Sequence, residues 1–318
     1  MLHLPDMASP KSPPGKSAPR NRTMELSESE RKRFRELLFR DKSTEVVDRI
    51  ICGDSFTELG QLPRASFDLI FADPPYNLSK KFGSEEFHKI GAEAYEIWLD
   101  SWLALCSPLL KDSASIYICG DWRSSAAIQR VGSRHFHLRN RITWEREKGR
   151  GAKANWKNVA EDIWFFTASD TYTFNTDAVK QRRRVLAPYT KDGEPKDWDR
   201  SRAGNFRDTH PSNVWTDITV PFWSMPENTV HPTQKPEKLI AKIILASTKA
   251  GDLVLDPFAG SGTTAVVAKK LGRHFVAIEA DDEYCLLVQK RLELAEEDRS
   301  IQGFEDGVFW ERNSKIPK

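Results

Sequence analysis

The run Leu253-Val254-Leu255-Asp256-Pro257-Phe258-Ala259-Gly260-Ser261-Gly262-Thr263-Thr264 combines a strand, a tight turn and the start of a helix. Apolar residues of strand character end on an acid, two glycines follow, and threonines open a helical pattern. Open α/β sheets bind ligands at the carboxyl ends of their strands. Gly260 and Gly262 allow close backbone approach and unusual φ values at such an end. A phosphate-binding loop would carry Lys after the second glycine, and position 263 is Thr. A dinucleotide fingerprint would need GxGxxG, and only GxG is present. Glu279 closes the next strand, where a carboxylate can accept from both hydroxyls of a ribose. The pattern fits a nucleoside without a pyrophosphate, held by carboxylates. S-adenosylmethionine is that kind of ligand, and its cationic groups suit Asp256. A ligand-free tight turn is the alternative, and the paired Asp256 and Glu279 weigh against it.

Outward from this run the chain alternates strand and helix. Pro236 begins a helix over 236–249, at the position where its missing N–H costs nothing. A helix over 262–271, a strand at His274–Ile278 and a helix over 281–297 follow the turn. Towards the N-terminus lie strands at Val46–Ile51, Phe67–Ala72, Ser115–Cys119, Phe136–Trp144 and Ile163–Thr167. A helix over about 92–110 places Tyr95, Trp98, Trp102, Leu105 and Leu109 on one apolar stripe. The fold class is α/β: a mostly parallel, doubly wound sheet with helices on both faces. Residues 178–230, dense in Pro, Gly, Asp and Asn, break the rhythm and read as an inserted module. Two halves at 45–177 and 231–297 flank it. Residues 1–22 hold five of the 18 prolines and read as a disordered tail. Ser27-x-x-Glu30 is a capping box for an N-terminal helix within 23–44, with Phe34, Leu37 and Leu38 as its buried face. Residues 298–318 read as a C-terminal tail.

Composition narrows the class without fixing it. The chain has 318 residues, 39% hydrophobic and 30% charged, enough for a full core. No run approaches the ~18 apolar residues of a membrane span, and the N-terminus lacks a signal-peptide core. Cys52, Cys106, Cys119 and Cys285 are scattered, which argues against a disulfide framework or a metal site. A cytoplasmic protein with reduced thiols is the expectation. The net charge of +2 conceals local asymmetry. Residues 122–158 hold ten Lys/Arg against two acids, and 279–306 hold three against ten. A basic middle is the footprint that phosphate binding needs. The acidic helix 281–297 reads as a solvated face.

A second element stands at another strand end. Asp73-Pro74-Pro75-Tyr76 follows Phe67–Ala72. Two prolines stiffen the backbone and remove two N–H donors. The Asp73 carboxylate and Pro74 carbonyl then form a fixed pair of acceptors beside the flat face of Tyr76. That set suits a planar amine, with two N–H groups donated and the ring stacked.

With these residues the chain resembles the amino-methyltransferases of DNA, which methylate adenine N6 or cytosine N4 from S-adenosylmethionine. The likeness spans about residues 45–297. It rests on Asp73–Tyr76, on the Asp256–Thr264 turn, on His231-Pro232-Thr233-Gln234-Lys235-Pro236, and on Asn213-Val214-Trp215. The motif order is that of the family's β arrangement, with a target-recognition region between the halves. The resemblance implies Asp73, Pro74, Pro75 and Tyr76 as catalytic residues. It implies Asp54, Lys235, Asp256, Phe258, Ala259, Gly260, Gly262, Thr263 and Glu279 as cofactor contacts. Asp54 would meet the adenine of the cofactor and Lys235 its carboxylate. An acid at position 73 favours adenine as the target.

The implied reaction is direct displacement at the sulfonium methyl, with no metal. The target base is flipped out of duplex DNA, at a cost of a few kcal/mol. Tyr76 stacking offsets ~1–3 kcal/mol of it. Arg146, Lys148, Arg150, Lys153 and Lys157, interleaved with Trp144 and Trp156, are candidate phosphate contacts. Arg182, Arg183, Arg184, Asn205, Arg207 and Asn213 are candidate base readers. The resemblance leaves open two further partners, a second copy of this chain as a homodimer and a separately acting restriction endonuclease. A cytosine-N4 enzyme of the same fold and an inactive DNA-binding protein are the alternatives.

Overall fold

A computed structural model describes residues 20–40, 46–77, 80–82, 85–87, 89–146, 155–185, 189–201 and 204–312. Most of the expected tail over 1–22 lies outside these residues. At its end, the Arg22 amide donates to the Trp223 carbonyl at 2.6 Å. The capping box forms as read. The Ser27 amide donates to Glu30 at 2.8 Å, the Glu30 amide donates back to Ser27 Oγ at 3.3 Å, and α1 (Glu28–Arg40) follows. Phe34 is buried, but Leu37 is half exposed, so the apolar face is narrower than expected. Basic residues of α1 instead meet the acidic helix near the C-terminus. Arg31 and Arg35 pair with Glu283 at 2.8 Å, Arg33 with Glu293 at 2.6 Å, and Lys290 with Glu30 at 2.8 Å. The acidic face expected to meet solvent is therefore partly covered by a cationic one.

The next elements are β1 (Arg49–Cys52), α2 (Ser55–Leu59), β2 (Phe67–Ala72), α3 (Ala92–Cys106), β3 (Leu110–Gly120), α4 (Ser125–His135), β4 (His137–Glu145) and β5 (Ala160–Thr167). Besides a two-stranded hairpin at Thr190–Lys191 and Glu194–Pro195, the short strands β6 (Gln181–Arg184), β7 (Asp199–Ser201), β8 (Gly204–Thr209) and β9 (Val214–Trp215) follow. Then come α5 (Glu237–Ser247), β10 (Leu253–Asp256), α6 (Thr263–Lys270), β11 (His274–Glu279), α7 (Asp282–Glu297), β12 (Phe304–Glu305) and β13 (Val308–Trp310).

The main sheet has the order β1-β11-β10-β2-β3-β5-β4-β9. Its first five strands pair in parallel. Strand β5 is antiparallel to both β3 and β4, and β9 is parallel to β4. The composition of β2 explains its central place. Phe67, Ile70 and Ala72 enter one core, and Leu69 and Phe71 enter the other. An apolar run buried on both faces needs helices on both faces. Residues of α2–α4 line one core, and those of α5–α7 the other. The expected doubly wound α/β class is what forms.

This topology positions the site. Strands β1, β11, β10, β2 and β3 run the same way, so their carboxyl ends share one edge. In sheet order, those ends lead to Asp54, Glu279, Asp256, Asp73 and Asp121. Strand β5 runs oppositely, so its first residues, including Glu161, reach the same edge.

Two expectations need correction. Residues 298–318 are not a simple tail. Strand β13 pairs with β6 in parallel, and a small sheet runs β7-β8-β6-β13-β12. Val308, Phe309 and Trp310 are buried there. The inserted region is likewise not self-contained. Its β9 joins the main sheet, and Trp215, Ile218 and Val220 enter the main core. Buried ions make the join: Lys242 donates to both Asp217 oxygens at 2.8 and 2.9 Å, and Lys238 pairs with Asp217 at 2.7 Å. Lys238 also donates to the Trp310 carbonyl of β13. Among the described residues, no helix is long and apolar enough to cross a membrane.

Candidate active site

A cleft of about 910 Å³ opens along the carboxyl edge. Of the thirteen expected site residues, Gly262 alone is absent from its lining. Gly262 caps α6 with φ +76°, and a Cβ there would lie 2.5 Å from Val288 of α7. Its role is close packing behind the loop. Gly260 does line the cleft, with φ +54°, and an added Cβ would meet the His231 ring at 2.9 Å. His231 stands edge-on to Tyr284, with ring centroids 4.6 Å apart. This restricts His231 to the rim of the glycine turn.

The turn is held by its own acids. Asp256 accepts from the Phe258 amide at 3.0 Å and from Thr264 Oγ1 at 2.5 Å. Glu279 accepts from the Gly260 amide at 2.7 Å and from the Asp281 amide at 2.9 Å. Burial pushes both carboxyls up to about 7, against these hydrogen bonds. Among the described residues neither acid forms an ion pair. Asp54 caps α2, accepting from the Thr57 amide at 3.1 Å, and lines the cleft at one end. Phe258 packs edge-on to Trp102 at 5.2 Å and so fixes the outer wall.

The back of the loop rests on a residue the sequence reading passed over. Arg291 of α7, 2% exposed, donates to the Ser261 carbonyl at 2.8 Å and to Thr263 Oγ1 at 3.0 Å. Its charge is met by Glu237 at 3.2 Å. Within a helix read as acidic and solvated, a lone Arg gave no signal.

Asp73 leaves β2 and enters the cleft. The Tyr76 hydroxyl donates to Asp73 Oδ1 at 2.9 Å, and Lys235 Nζ donates to Asp73 Oδ2. Lys235 also lies 3.6 Å from Glu161 Oε2, and Arg146 holds Glu161 Oε1. Burial alone would lower the Lys235 pKa, but Asp73 and Glu161 raise it on balance. Burial, then Asp73, lifts the Tyr76 hydroxyl well above its usual value, so it stays a donor. Lys235 was expected at the carboxylate of a cofactor, and the structure puts its ammonium on Asp73. Glu161 and Asp121 were not expected in the site. Asp121 follows β3, lines the cleft and accepts from the Ser124 amide at 2.8 Å in the turn ahead of α4.

The expected nucleic-acid contacts divide. Trp144 is buried, donating to the Ile218 carbonyl at 3.1 Å, so it is core rather than surface. Trp156 is 95% exposed, and Lys157 is exposed beside it. Lys148, Arg150 and Lys153 lie outside the described residues. Arg182 is bound by Asp208 through two 2.7 Å bonds. Arg183 lies 3.7 Å from Glu311, and Arg207 3.6 Å from Asp197. Asn213 donates to the Arg141 carbonyl at 3.0 Å.

A doubly wound α/β fold with an acid-lined cleft across its strand ends places a ligand site where open α/β sheets bind their ligands. Comparison with known proteins gives the family. A family profile described as DNA methylase matches residues 67–290. The DNA adenine methyltransferase YhdJ of Escherichia coli (strain K12) is 38% identical over 254 residues, 77% of this chain and 83% of that protein. The type II methyltransferase M.HpaI of Haemophilus parainfluenzae is 33% identical over 260 residues, 81% of this chain and 76% of that one. The solved M1.HpyAVI–SAM complex aligns with a TM-score of 0.53 at 23% identity, over 77% of this chain and 98% of its own. The PvuII DNA methyltransferase (cytosine-N4-specific) aligns at 0.57 and 20%, over 78% and 89%. The two structures share the fold. This chain belongs to the DNA methylase family.

Proposed function

We propose that this protein transfers a methyl group from S-adenosylmethionine to N6 of an adenine flipped out of duplex DNA, in the cytoplasm of a bacterial cell. The observation that carries the reading is the adjacency of two strand ends. Strands β10 and β2 are neighbours in the sheet, so the glycine turn and Asp73 open into one cleft. Strand spacing of about 4.8 Å sets the scale of that approach. The residues fit the cofactor by their chemistry. Buried Asp256 and part-buried Glu279, both with elevated pKa values, suit a cationic nucleoside with ribose hydroxyls, and Gly260 leaves room where a Cβ would collide. Asp256, Phe258, Ala259, Gly260, Thr263 and Glu279 would hold it, with Asp54 at the far end.

When bound, the cofactor supplies an electrophilic methyl group. The chain supplies the acceptor side. Asp73 and the Pro74 carbonyl accept the amine hydrogens and favour the tetrahedral nitrogen of the transition state. A preorganised group of this kind contributes about 2.7–4 kcal/mol. Tyr76 stacks on the base, and Pro75 keeps the turn stiff. The Asp-Pro-Pro-Tyr form and the likeness to an adenine methyltransferase support adenine over cytosine. In this reading residues 178–230 contribute target recognition. The protein pairs with a second copy, and a cognate endonuclease acts separately.

Asp73→Ala is expected to lower methyl transfer by at least about 100–1,000-fold, with cofactor affinity unchanged by calorimetry. Transfer at the parent rate would remove Asp73 from the mechanism. Mass analysis of nucleosides from DNA of an expressing host should give N6-methyladenine, and N4-methylcytosine instead would reverse the choice of base.

A further inference from the structure

We propose that Glu161 is a positioning residue for the methyl transfer, acting on Asp73 through Lys235. This rests on the amine-binding role of Asp73 given above. Three buried groups stand in a row. The side chains of Lys235 and Glu161 are 7% and 5% exposed, and that of Asp73 is 17% exposed. Lys235 Nζ sits on Asp73 Oδ2 and lies 3.4 Å from the Tyr76 hydroxyl. Glu161 Oε1 accepts from Arg146, while buried Oε2 has no hydrogen-bond partner. A buried carboxylate oxygen without a donor is costly and calls for a reason. The Lys235 ammonium lies 3.6 Å from that oxygen, just outside hydrogen-bond range.

An ammonium seated on Asp73 opposes the reaction in two ways. It occupies part of the carboxylate that must face the amine. Its charge also repels the positive charge that develops on the attacked nitrogen. Glu161 offsets both effects. Its carboxylate balances Lys235, and its Oε2 offers a second seat that a shift of about 1 Å reaches. As the amine engages Asp73, Lys235 leans towards Glu161. Asp73 keeps its bond from Tyr76 on Oδ1, which holds the carboxylate plane. No covalent bond changes in this step; one N–H donor exchanges acceptors. The start of β5 is suited to the task, because Glu161 is fixed opposite Trp144 in the sheet register.

Glu161→Gln keeps the shape and removes the charge. In the full chain, single-turnover transfer to duplex DNA at saturating S-adenosylmethionine should slow about 100-fold. Cofactor and DNA dissociation constants and the melting temperature should stay at parent values. Glu161→Asp, which retains the charge, should recover part of the rate. Asp73→Ala is measured alongside. An inactive Asp73→Ala with Glu161→Gln at the parent rate overturns this inference and leaves the amine site standing. An active Asp73→Ala removes the amine site and this inference with it. A slow Glu161→Gln whose loss follows a lower melting temperature or weaker cofactor binding makes Glu161 merely structural, and also overturns it.

Discussion

On one side of the cleft, Asp256 and Glu279 are met by backbone amides and a hydroxyl; on the other, Asp73 and Glu161 are met by Lys235 and Arg146. All four acids lie along one sheet edge, yet their surroundings differ in kind. The first pair, one acid buried and one part-buried, forms no ion pair among the described residues and stays protonated up to about 7. Positive charge brought to it is strongly favoured. The second pair already carries its cations, so it gains little from another and offers direction instead. In the proposed function, binding of a charged cofactor and alignment of a neutral amine thus fall to acids in different electrostatic states.

The largest test of this contrast is Arg291→Met. Arg291 is a buried cation near the glycine turn, but it faces the back of the loop rather than Asp256 or Glu279. Its removal leaves Glu237 without that partner and should lower unfolding free energy by about 3–5 kcal/mol. Denaturant titration reads the loss, and an unchanged midpoint would mean that the loop stands without it. Next in size is Glu279→Ala, which should weaken cofactor binding by about 1.5–3 kcal/mol while Asp73→Ala leaves it alone. Equal losses in the two variants would erase the division of the cleft.

The smallest effect is in pH. Folded Asp256 and Glu279 titrate near 7, above their ordinary values of 3.8 and 4.5. Between those limits the folded chain holds protons that the unfolded chain has released. Their stabilising contribution is full below about 4 and is lost as pH rises through about 7. Cofactor binding requires the carboxylates, so affinity should rise over the same upper range. The limit is about 1.4 kcal/mol per pH unit for each group. Calorimetry on either side of pH 7 checks this, and a flat dissociation constant would separate these acids from the cofactor.

Much of this was legible because it is local. The glycine turn and the Asp73–Tyr76 element each follow an apolar run, and a parallel strand leads its last residues to the ligand edge. Glu161 was not legible for the converse reason. It begins an antiparallel strand, where no strand-then-turn signal points to a site. Arg291 was hidden by its helix, whose acidic sequence outweighed one inward cation. Trp144 was misread because a basic neighbourhood was given more weight than strand alternation. The three apolar residues of β13 are too short a run to mark a strand by themselves, and they become one by pairing with β12 and with β6, far back in the chain.

That last pairing bears on attempts to change which sequence the protein marks. Strand β13 lies inside the small sheet, between β6 and β12. A cassette exchanged at 178–230 alone would set a foreign β6 against β13 and would remove Asp217, the buried partner of Lys238 and Lys242. A functional graft would have to carry two pieces, the middle stretch and the residues near 304–310. The middle of the gene and its far end would have to be redesigned as one part.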